Sequence, residues 1–203
     1  HSRPDGKTLG TFGGDGFYAA IDPADSGVYY SETTLASMQV TRNGGQSYTA
    51  IAPPVTNPQF ANAFVMDPTD ANHLLTAGPE VVERTKGPAG SWVQVFNLDD
   101  AGGDTHQMTA VELDDANAYV GWCQICDIIN KQTTQVFRSG IATNVGGNAA
   151  PEKGKTAGWH QAAAKGLPDR YISGIAVDPK HPKTVYVALA GYANRQWWPP
   201  GAF

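Results

Sequence analysis

Short apolar runs that end in an acidic turn recur along this chain and constrain its fold more than any other feature. An aspartate closes each run, and proline follows it in three of the four cases: Asp22, Asp67, Asp114 and Asp178. These positions are 45, 47 and 64 residues apart. A second run rich in β-branched and aromatic residues follows each turn, as is typical of β-strands. Four short strands in a period of this length predict a β-propeller blade.

The repeat predicts an all-β fold: a β-propeller of four-stranded antiparallel blades, with about three and a half blades in this chain. A single partial domain spans residues 1–203, with units at approximately 10–56, 57–100, 101–167 and 168–203. We expect the first strand of each unit on the inside, at residues 20–21, 65–66, 110–111 and 176–177. In the third unit, the third strand is expected at 136–139, and residues 161–165 form either a short helix or the outer strand.

A turn in the first unit follows the Asp-box pattern, Ser/Thr-x-Asp/Asn-x-Gly-x-Ser/Thr-Trp/Tyr. The five defined positions are filled by Thr41, Asn43, Gly45, Ser47 and Tyr48. An asparagine side chain can bond back to the backbone of such a turn, glycine permits positive φ, and the aromatic residue starts the next strand. We therefore expect these five residues to be structural.

The length of the chain conflicts with a closed ring. A propeller needs about 4 to 8 blades, and the fourth unit lacks its third strand, its Asp-box and its fourth strand. An open set of blades leaves apolar flanks uncovered. We expect the ring to be completed either by a missing remainder of the polypeptide or by a partner chain.

Composition excludes several classes of protein. With 41% hydrophobic and 16% charged residues, the chain is globular rather than disordered. A net charge of −5 without a basic cluster argues against nucleic-acid binding, and no apolar run approaches the ~20 residues of a membrane span. The chain begins at His1, so we expect that any signal peptide was removed or not included. No cofactor is expected.

The two cysteines, Cys123 and Cys126, form a CxxC pair with three interpretations. A zinc half-site would need two further ligands, for which His106 and His160 are available, but no second CxxC or HxxxH exists. A redox CxxC opens a helix in a βαβ setting, whereas this one follows a strand. The pattern favours a structural disulfide and an oxidising compartment, with no metal.

The repeated strand, Asp-Pro turn and Asp-box resemble the BNR/Asp-box β-propellers, which include sialidases, xyloglucanase-type glycoside hydrolases and sortilin-like receptors. Residues 13–23 and 171–179 are similar to first-strand segments of secreted bacterial members. The resemblance covers nearly the whole chain. It implies a secreted glycoside hydrolase-like propeller that acts on or binds polysaccharide. The alternative is a non-catalytic propeller that binds glycan or an extracellular protein on its loop face.

In such a propeller the loops before the inner strands meet at one mouth of the central channel. Two of these loops carry an aspartate after Gly-Gly, Asp15 and Asp104. Glycoside hydrolysis commonly uses two carboxylates, about 5 Å apart for retention and about 6.5–9.5 Å apart for inversion. Asp15 and Asp104 are therefore the candidate catalytic pair, although Gly-Gly-Asp is also an ordinary turn. Whether the protein is an enzyme stays open; this chain alone is expected to be inactive.

Other candidate ligand contacts come from the mouth loops and the end of the chain: His106, Arg170, Tyr192, Arg195, Trp197 and Trp198. The aromatic residues could stack on sugars or cover a neighbouring blade, and His106 could shuttle protons near Asp104 or simply be solvated.

A sialidase needs three arginines around the substrate carboxylate. Arg42, Arg84 and Arg138 recur in phase, but they lie beside the predicted rim. The sequence therefore argues against sialidase activity. Trp92 and Trp159 match the aromatic position of the Asp-box and are assigned to packing.

Overall fold

The computed structural model describes residues 15–101, 106–124, 138–163 and 165–190. Several predicted site residues lie outside these ranges, so the predictions that involve them stay predictions: Asp104, Cys126, Tyr192, Arg195, Trp197 and Trp198. The described chain is almost entirely β-structure, with two short 3-10 segments at Gly87–Ala89 and Leu98–Ala101.

Four antiparallel sheets follow one another along the chain, and we call them blades one to four. Blade one contains β1 (Ala19–Ile21), β2 (Tyr29–Glu32), β3 (Met38–Thr41) and β4 (Thr49–Ala50). Blade two contains β5 (Phe64–Met66), β6 (Leu74–Ala77), β7 (Glu80–Arg84) and β8 (Val93–Asn97). Blade three contains β9 (His106–Asp114), β10 (Asn117–Gln124), β11 (Arg138–Thr143) and β12 (His160–Gln161). Blade four contains β13 (Tyr171–Asp178) and β14 (His181–Ala190).

Each strand pairs with the strand that follows it in its own blade, which confirms the predicted fold class. The expected inner pairs of residues lie on the first strands β1, β5, β9 and β13. In blade one Ala20 lies opposite Tyr30, and in blade two Val65 lies opposite Leu75. β9 contacts both β5 and β13, so the first strands of blades two to four lie side by side.

Apolar side chains hold consecutive blades together face to face. One buried cluster joins blades one and two through Tyr30, Met38 and Leu74, among others. A second joins blades two and three, and a third joins blades three and four around Ile172. Burial of apolar surface between blades is the dominant stabilising term for such a stack.

The third strand of blade three, β11, includes the described part of the predicted strand at 136–139 and extends to Thr143; residues 136 and 137 lie outside the described part of the chain. Gly140 lets the indole of Trp122 pack on this strand, because a Cβ there would lie 2.4 Å from it. The strand then buries Ile141 and Ala142. Of the two interpretations of 161–165, the outer strand agrees with β12, which pairs with β11 at His160 and Gln161.

The turn after β3 has the geometry that its sequence suggests. Asn43 Oδ1 accepts from the Ser47 amide at 2.9 Å and from the Thr41 hydroxyl at 3.0 Å. Asn43 Nδ2 donates to Ser47 Oγ at 2.8 Å, and the Gly45 amide donates to Thr41 Oγ1 at 3.0 Å. Gly45 has a φ of 85°, and the hydroxyl of Tyr48 lies 2.7 Å from that of Tyr29. The turn therefore closes on its own side chains.

Candidate functional site

Among the described residues, the segments that precede or begin the first strands of the four blades meet at one end of the molecule, which we call the mouth. The rings of Phe17 and Phe60, from the loops before β1 and β5, have centroids 5.4 Å apart. Gln59 Nε2 donates to Gln107 Oε1 at 3.4 Å and so joins the loop before β5 to the start of β9. Burial raises the pKa of Tyr171 at the start of β13, with a further contribution from Tyr18 before β1.

Three large apolar side chains are exposed together at the mouth and form what we call the mouth patch: Phe17, Leu35 and Phe60. They are 41%, 58% and 56% exposed, respectively. The two rings meet edge to face at 72°, and the Leu35 amide donates to the Phe60 carbonyl at 3.0 Å. Each member comes from a different segment: the loop before β1, the turn between β2 and β3, and the loop before β5. Adjacent exposed apolar side chains of this size often mark a binding surface.

The turn that presents Leu35 is strained. Leu35 and Ala36 have φ values of 56° and 57°, a left-handed conformation that costs non-glycine residues about 1–3 kcal/mol each. Hydrogen bonds from the Thr33 amide to the Ser37 carbonyl and from the Ser37 amide to the Thr34 carbonyl, both 3.1 Å, hold the turn. Strain of this kind tends to be retained at functional sites.

The candidate carboxylate Asp15 lies in the same loop as Phe17. Its side chain is exposed, and no atom lies within 4 Å of the place where a Cβ on Gly16 would stand. The exposure of Asp15 therefore leaves its carboxylate accessible in the same loop as Phe17. Its proposed partner Asp104 lies outside the described residues, so their separation is not tested.

Glu32, which the sequence analysis did not single out, is buried at the end of β2. It is 1% exposed, and neither carboxyl oxygen makes a hydrogen bond of normal geometry. Burial raises the pKa of Glu32 to about 7, and the nearby backbone amides of Asn62, Ala36 and Tyr18 partly offset that rise. An acidic residue at the end of the strand Tyr-Tyr-Ser-Glu was the only sequence signal that could have indicated it.

His106 is buried rather than solvated. It is the first residue of β9 and is 1% exposed. Its Nδ1 lies 2.9 Å from Asp99 Oδ1, and its Nε2 lies 3.1 Å from Gln124 Nε2. Trp122 meets the ring edge to face at 4.5 Å. Both ring nitrogens therefore contact protein groups, which favours a structural role.

Arg170 also lies at the mouth and is partly buried, with its amide donating to the Pro168 carbonyl at 2.8 Å. Of the phased arginines, Arg138 begins β11 level with Gln124 and His106, whereas Arg84 lies at the other end of its blade. Arg84 on β7 is buried and donates to the carbonyls of Gly87 and Pro88 at 2.6 and 3.2 Å. Its guanidinium lies 5.8 Å from the centre of the Trp92 ring, and such a contact contributes to packing.

The two matched tryptophans also pack against neighbouring residues. Trp92 Nε1 donates to the Ile51 carbonyl at 2.6 Å. Trp159 stacks on Phe96 with centroids 5.8 Å apart.

A second buried polar cluster lies where β5 turns into β6. His73 lies between Asp67 and Glu83, each 3.2 Å from one ring nitrogen. Lys153, from the segment between β11 and β12, reaches Asp67, Asp70 and Asp115 at 3.4, 3.2 and 3.3 Å. The Gly154 amide also donates to Glu83. The cluster therefore joins the insertion of blade three to blade two, at the turn end of β5 rather than at the mouth.

An apolar cavity of about 670 Å³ separates blade three from β14. Its walls include Tyr119, Ile141, Val185 and Val187, with Lys183 at its border. In blades one to three the second strand pairs with a third strand, whereas β14 pairs only with β13 in the described chain. The cavity therefore lies beside the open edge of blade four.

The described part of the chain contains no group of three or more histidine, cysteine, aspartate or glutamate residues that could hold a metal. Within the same residues, no helix is long and apolar enough to cross a membrane. Cys123 is fully buried on β10, within the second strand of its blade; its expected pairing with Cys126 stays a prediction.

No protein-family model and no curated protein matches the sequence. Solved structures do match the fold. An ancestral GH74 enzyme aligns with 87% of this chain at 18% identity and a TM-score of 0.58. The GH74 enzyme of Niastella koreensis aligns with 90% at 16% identity and a TM-score of 0.54. The GH74 xyloglucanase from Xanthomonas campestris aligns with 84% at 15% identity and a TM-score of 0.55.

These alignments cover only 24%, 29% and 26% of the three neighbours' chains. At such low identity the likeness concerns the fold. The fold is therefore that of a β-propeller.

Proposed function

We propose that this chain is part of a glycoside hydrolase-like propeller that binds polysaccharide at its mouth. The mouth patch is the observation that carries the proposal. Phe17 and Phe60 come from two different blades, yet their rings lie 5.4 Å apart and both are exposed to solvent. Aromatic faces pack well against the C–H faces of sugar rings, which are apolar on one side and ringed by hydroxyls.

The surroundings of the patch suit a sugar better than a purely apolar partner. The exposed carboxylate of Asp15 can accept hydrogen bonds from hydroxyls, and the hydroxyl of Tyr18 can donate or accept. One of the structural neighbours is described as a xyloglucanase. Xyloglucan and other β-glucans are therefore the first ligands to test.

Affinity electrophoresis through gels that contain xyloglucan or other β-glucans tests the proposal. Removing one ring should weaken retention about tenfold, equivalent to ~1.4 kcal/mol, so Phe17→Ala and Phe60→Ala should migrate faster than the unmodified protein. Val93→Ala is the matched control, since Val93 is 47% exposed on β8, away from the mouth. Equal retention of Phe60→Ala and the unmodified protein would refute binding at the patch.

Hydrolysis is a second candidate function, favoured by the accessible position of Asp15. A partner carboxylate at Asp104 would act as the second member of the pair. Reducing-end release from xyloglucan and related polysaccharides by the completed propeller tests it, with Asp15→Asn and Asp104→Asn each expected to abolish turnover. Binding without any turnover would favour the non-catalytic alternative, in which the loop face holds glycan or an extracellular protein.

Several further features belong to the same proposal. The protein is extracellular, its Cys123 and Cys126 form a disulfide, and its Thr41–Tyr48 turn is a structural Asp-box of a BNR repeat. A missing remainder or a partner chain completes the ring. Support comes from the CxxC spacing and the self-closed turn. Mass spectrometry of the secreted protein with and without reductant tests the disulfide. Reduction of the bond should raise the mass by about 2 Da, because each cysteine gains a hydrogen.

A further inference from the structure

The three segments that form the mouth patch meet at one buried carboxyl group. The backbone amides that lie near Glu32 belong to Tyr18, Ala36 and Asn62. Tyr18 follows Phe17, Ala36 follows Leu35, and Asn62 lies two residues after Phe60. Each segment that carries a patch residue therefore also contributes an amide beside the same side chain.

Backbone contacts reinforce this arrangement. The Phe17 amide donates to the Glu32 carbonyl at 3.2 Å, and the Glu32 amide donates to the Tyr18 carbonyl at 2.8 Å. The side chain of Asn62 is also fixed, since its Oδ1 accepts from the Gln59 amide at 3.1 Å and its Nδ2 donates to Thr76 at 3.1 Å. The loop before β5 is thus held close over Glu32.

Among the described residues, no charged group compensates Glu32. The groups that offset the effect of burial there are backbone amides, and no ion pair between described residues involves this side chain. The turn 33–37 and the loop 57–62 contain no charged residue, and the described part of the segment before β1 supplies the exposed Asp15 and the phenol of Tyr18. A buried carboxylate without a cation beside it is costly, whereas the neutral acid tolerates burial.

We propose that Glu32 is the positioning residue of the mouth patch, and that loss of its proton separates the three segments and weakens ligand binding. The inference depends on the proposed function for its ligand, but the movement of the patch can be measured without any ligand. The neutral acid allows the loop before β5 to close over β2. The anion requires hydration, and water can reach it only if the Phe60 loop moves away.

The experiment has a first arm that needs no polysaccharide. 4-Fluorophenylalanine is placed at Phe60 in the full chain, and its ¹⁹F resonance is followed from pH 5 to 9. We expect a titration with a midpoint at about 7 that is absent in Glu32→Gln, a neutral isostere. Glu112→Gln is the matched control, because burial also raises the pKa of Glu112, on β9 of blade three; it should leave the Phe60 titration unchanged.

The second arm measures binding of a xyloglucan oligosaccharide at pH 5.5 and 8.5. We expect about tenfold weaker binding at pH 8.5 in the unmodified protein and in Glu112→Gln, and equal binding at both pH values in Glu32→Gln. Glu32→Met, also uncharged, provides the same test if the glutamine variant folds poorly. A Phe60 resonance that does not titrate, or that still titrates in Glu32→Gln, overturns the inference. A titration confined to proteins with Glu32, without ligand binding at any pH, supports its positioning role and contradicts the proposed function.

Discussion

At the scale of single residues, Asn43 and Glu32 show opposite solutions to the placement of a polar side chain. Asn43 uses both ends of its amide within one turn, with three side-chain bonds between 2.8 and 3.0 Å. Glu32 is buried without a bond of normal geometry. The first arrangement could be predicted from sequence because all its partners lie within five positions. The second could not, because it depends on Asn62 in another blade.

Replacing Asn43 by alanine should destabilise the turn between β3 and β4. The change removes the acceptor for the Ser47 amide and the contacts to Thr41 and the Ser47 hydroxyl, and we expect a loss of about 1–2 kcal/mol in the free energy of unfolding. Urea denaturation measures it. Gln46→Ala, an exposed change in the same turn, should stay within about 0.5 kcal/mol of the unmodified protein. Equal stability of the two variants would show that the turn does not depend on its amide.

The stability of the protein should fall as the pH rises through the neutral range. The pKa of Glu32 is raised in the folded state to about 7, above its ordinary value of 4.5. The contribution of the neutral Glu32 carboxyl to the free energy of unfolding is therefore fully present below pH 4.5. That contribution declines between pH 4.5 and 7, by on the order of 3 kcal/mol. Urea denaturation of the unmodified protein and of Glu32→Gln at several pH values should show that the difference between their free energies of unfolding changes between pH 4.5 and 7. A constant gap would contradict the burial argument.

At the scale of elements, the insertion of blade three acts as a clamp on blade two. Lys153 contacts carboxylates in two turns, Asp67 and Asp70 after β5 and Asp115 after β9. Burial lowers the pKa of Lys153, but contacts with these acids outweigh it and raise the pKa overall. The sequence gave no indication of the partners of Lys153, because ion pairs between distant segments have no periodic signal.

Lys153→Met should destabilise the protein by about 1–3 kcal/mol at pH 7, since it leaves a buried acid without its cation. Burial tends to raise the pKa of Asp67 and Asp70, but hydrogen bonds and Lys153 lower it below the ordinary 3.8. The ionised carboxylates of Asp67 and Asp70 thus stabilise the folded state above pH 3.8, and this stabilisation is lost as the pH falls further. Thermal unfolding should show that Lys153→Met is less stable than the unmodified protein at pH 7, and that this difference in stability becomes smaller below pH 4. Lys155→Met is the control, since Lys155 is exposed two residues away; equal effects of the two changes would exclude the clamp.

At the scale of the whole molecule, strand order was predictable and the binding surface was not. The Asp-Pro turns and the alternating runs identified each first strand, because a blade is built from local antiparallel pairs. The mouth patch combines Phe17, Leu35 and Phe60, which lie on three segments that only packing brings together. The sequence predicts the acidic site residues in loops, whereas Glu32, whose pKa is raised to about 7, lies at the end of β2.

The open edge of blade four should make this segment associate when it is produced alone. β14 has no second neighbour in the described chain, and Tyr186 on it is 63% exposed. Ile21 on β1, at the other flank, is 53% exposed. Unpaired strand edges with apolar side chains pair with other chains. Sedimentation should therefore show oligomers, with no glycosidase activity; a stable, active monomer would contradict both expectations.

The measurement that tests the account most directly is amide hydrogen exchange with and without a xyloglucan oligosaccharide. If the mouth binds polysaccharide, protection should increase in residues 16–18, 33–37 and 58–62, the three segments of the mouth patch, and the increase should be lost in Phe60→Ala. Unchanged exchange in these segments at saturating ligand, or protection confined to the opposite end around Asp70 and Asp115, would contradict it.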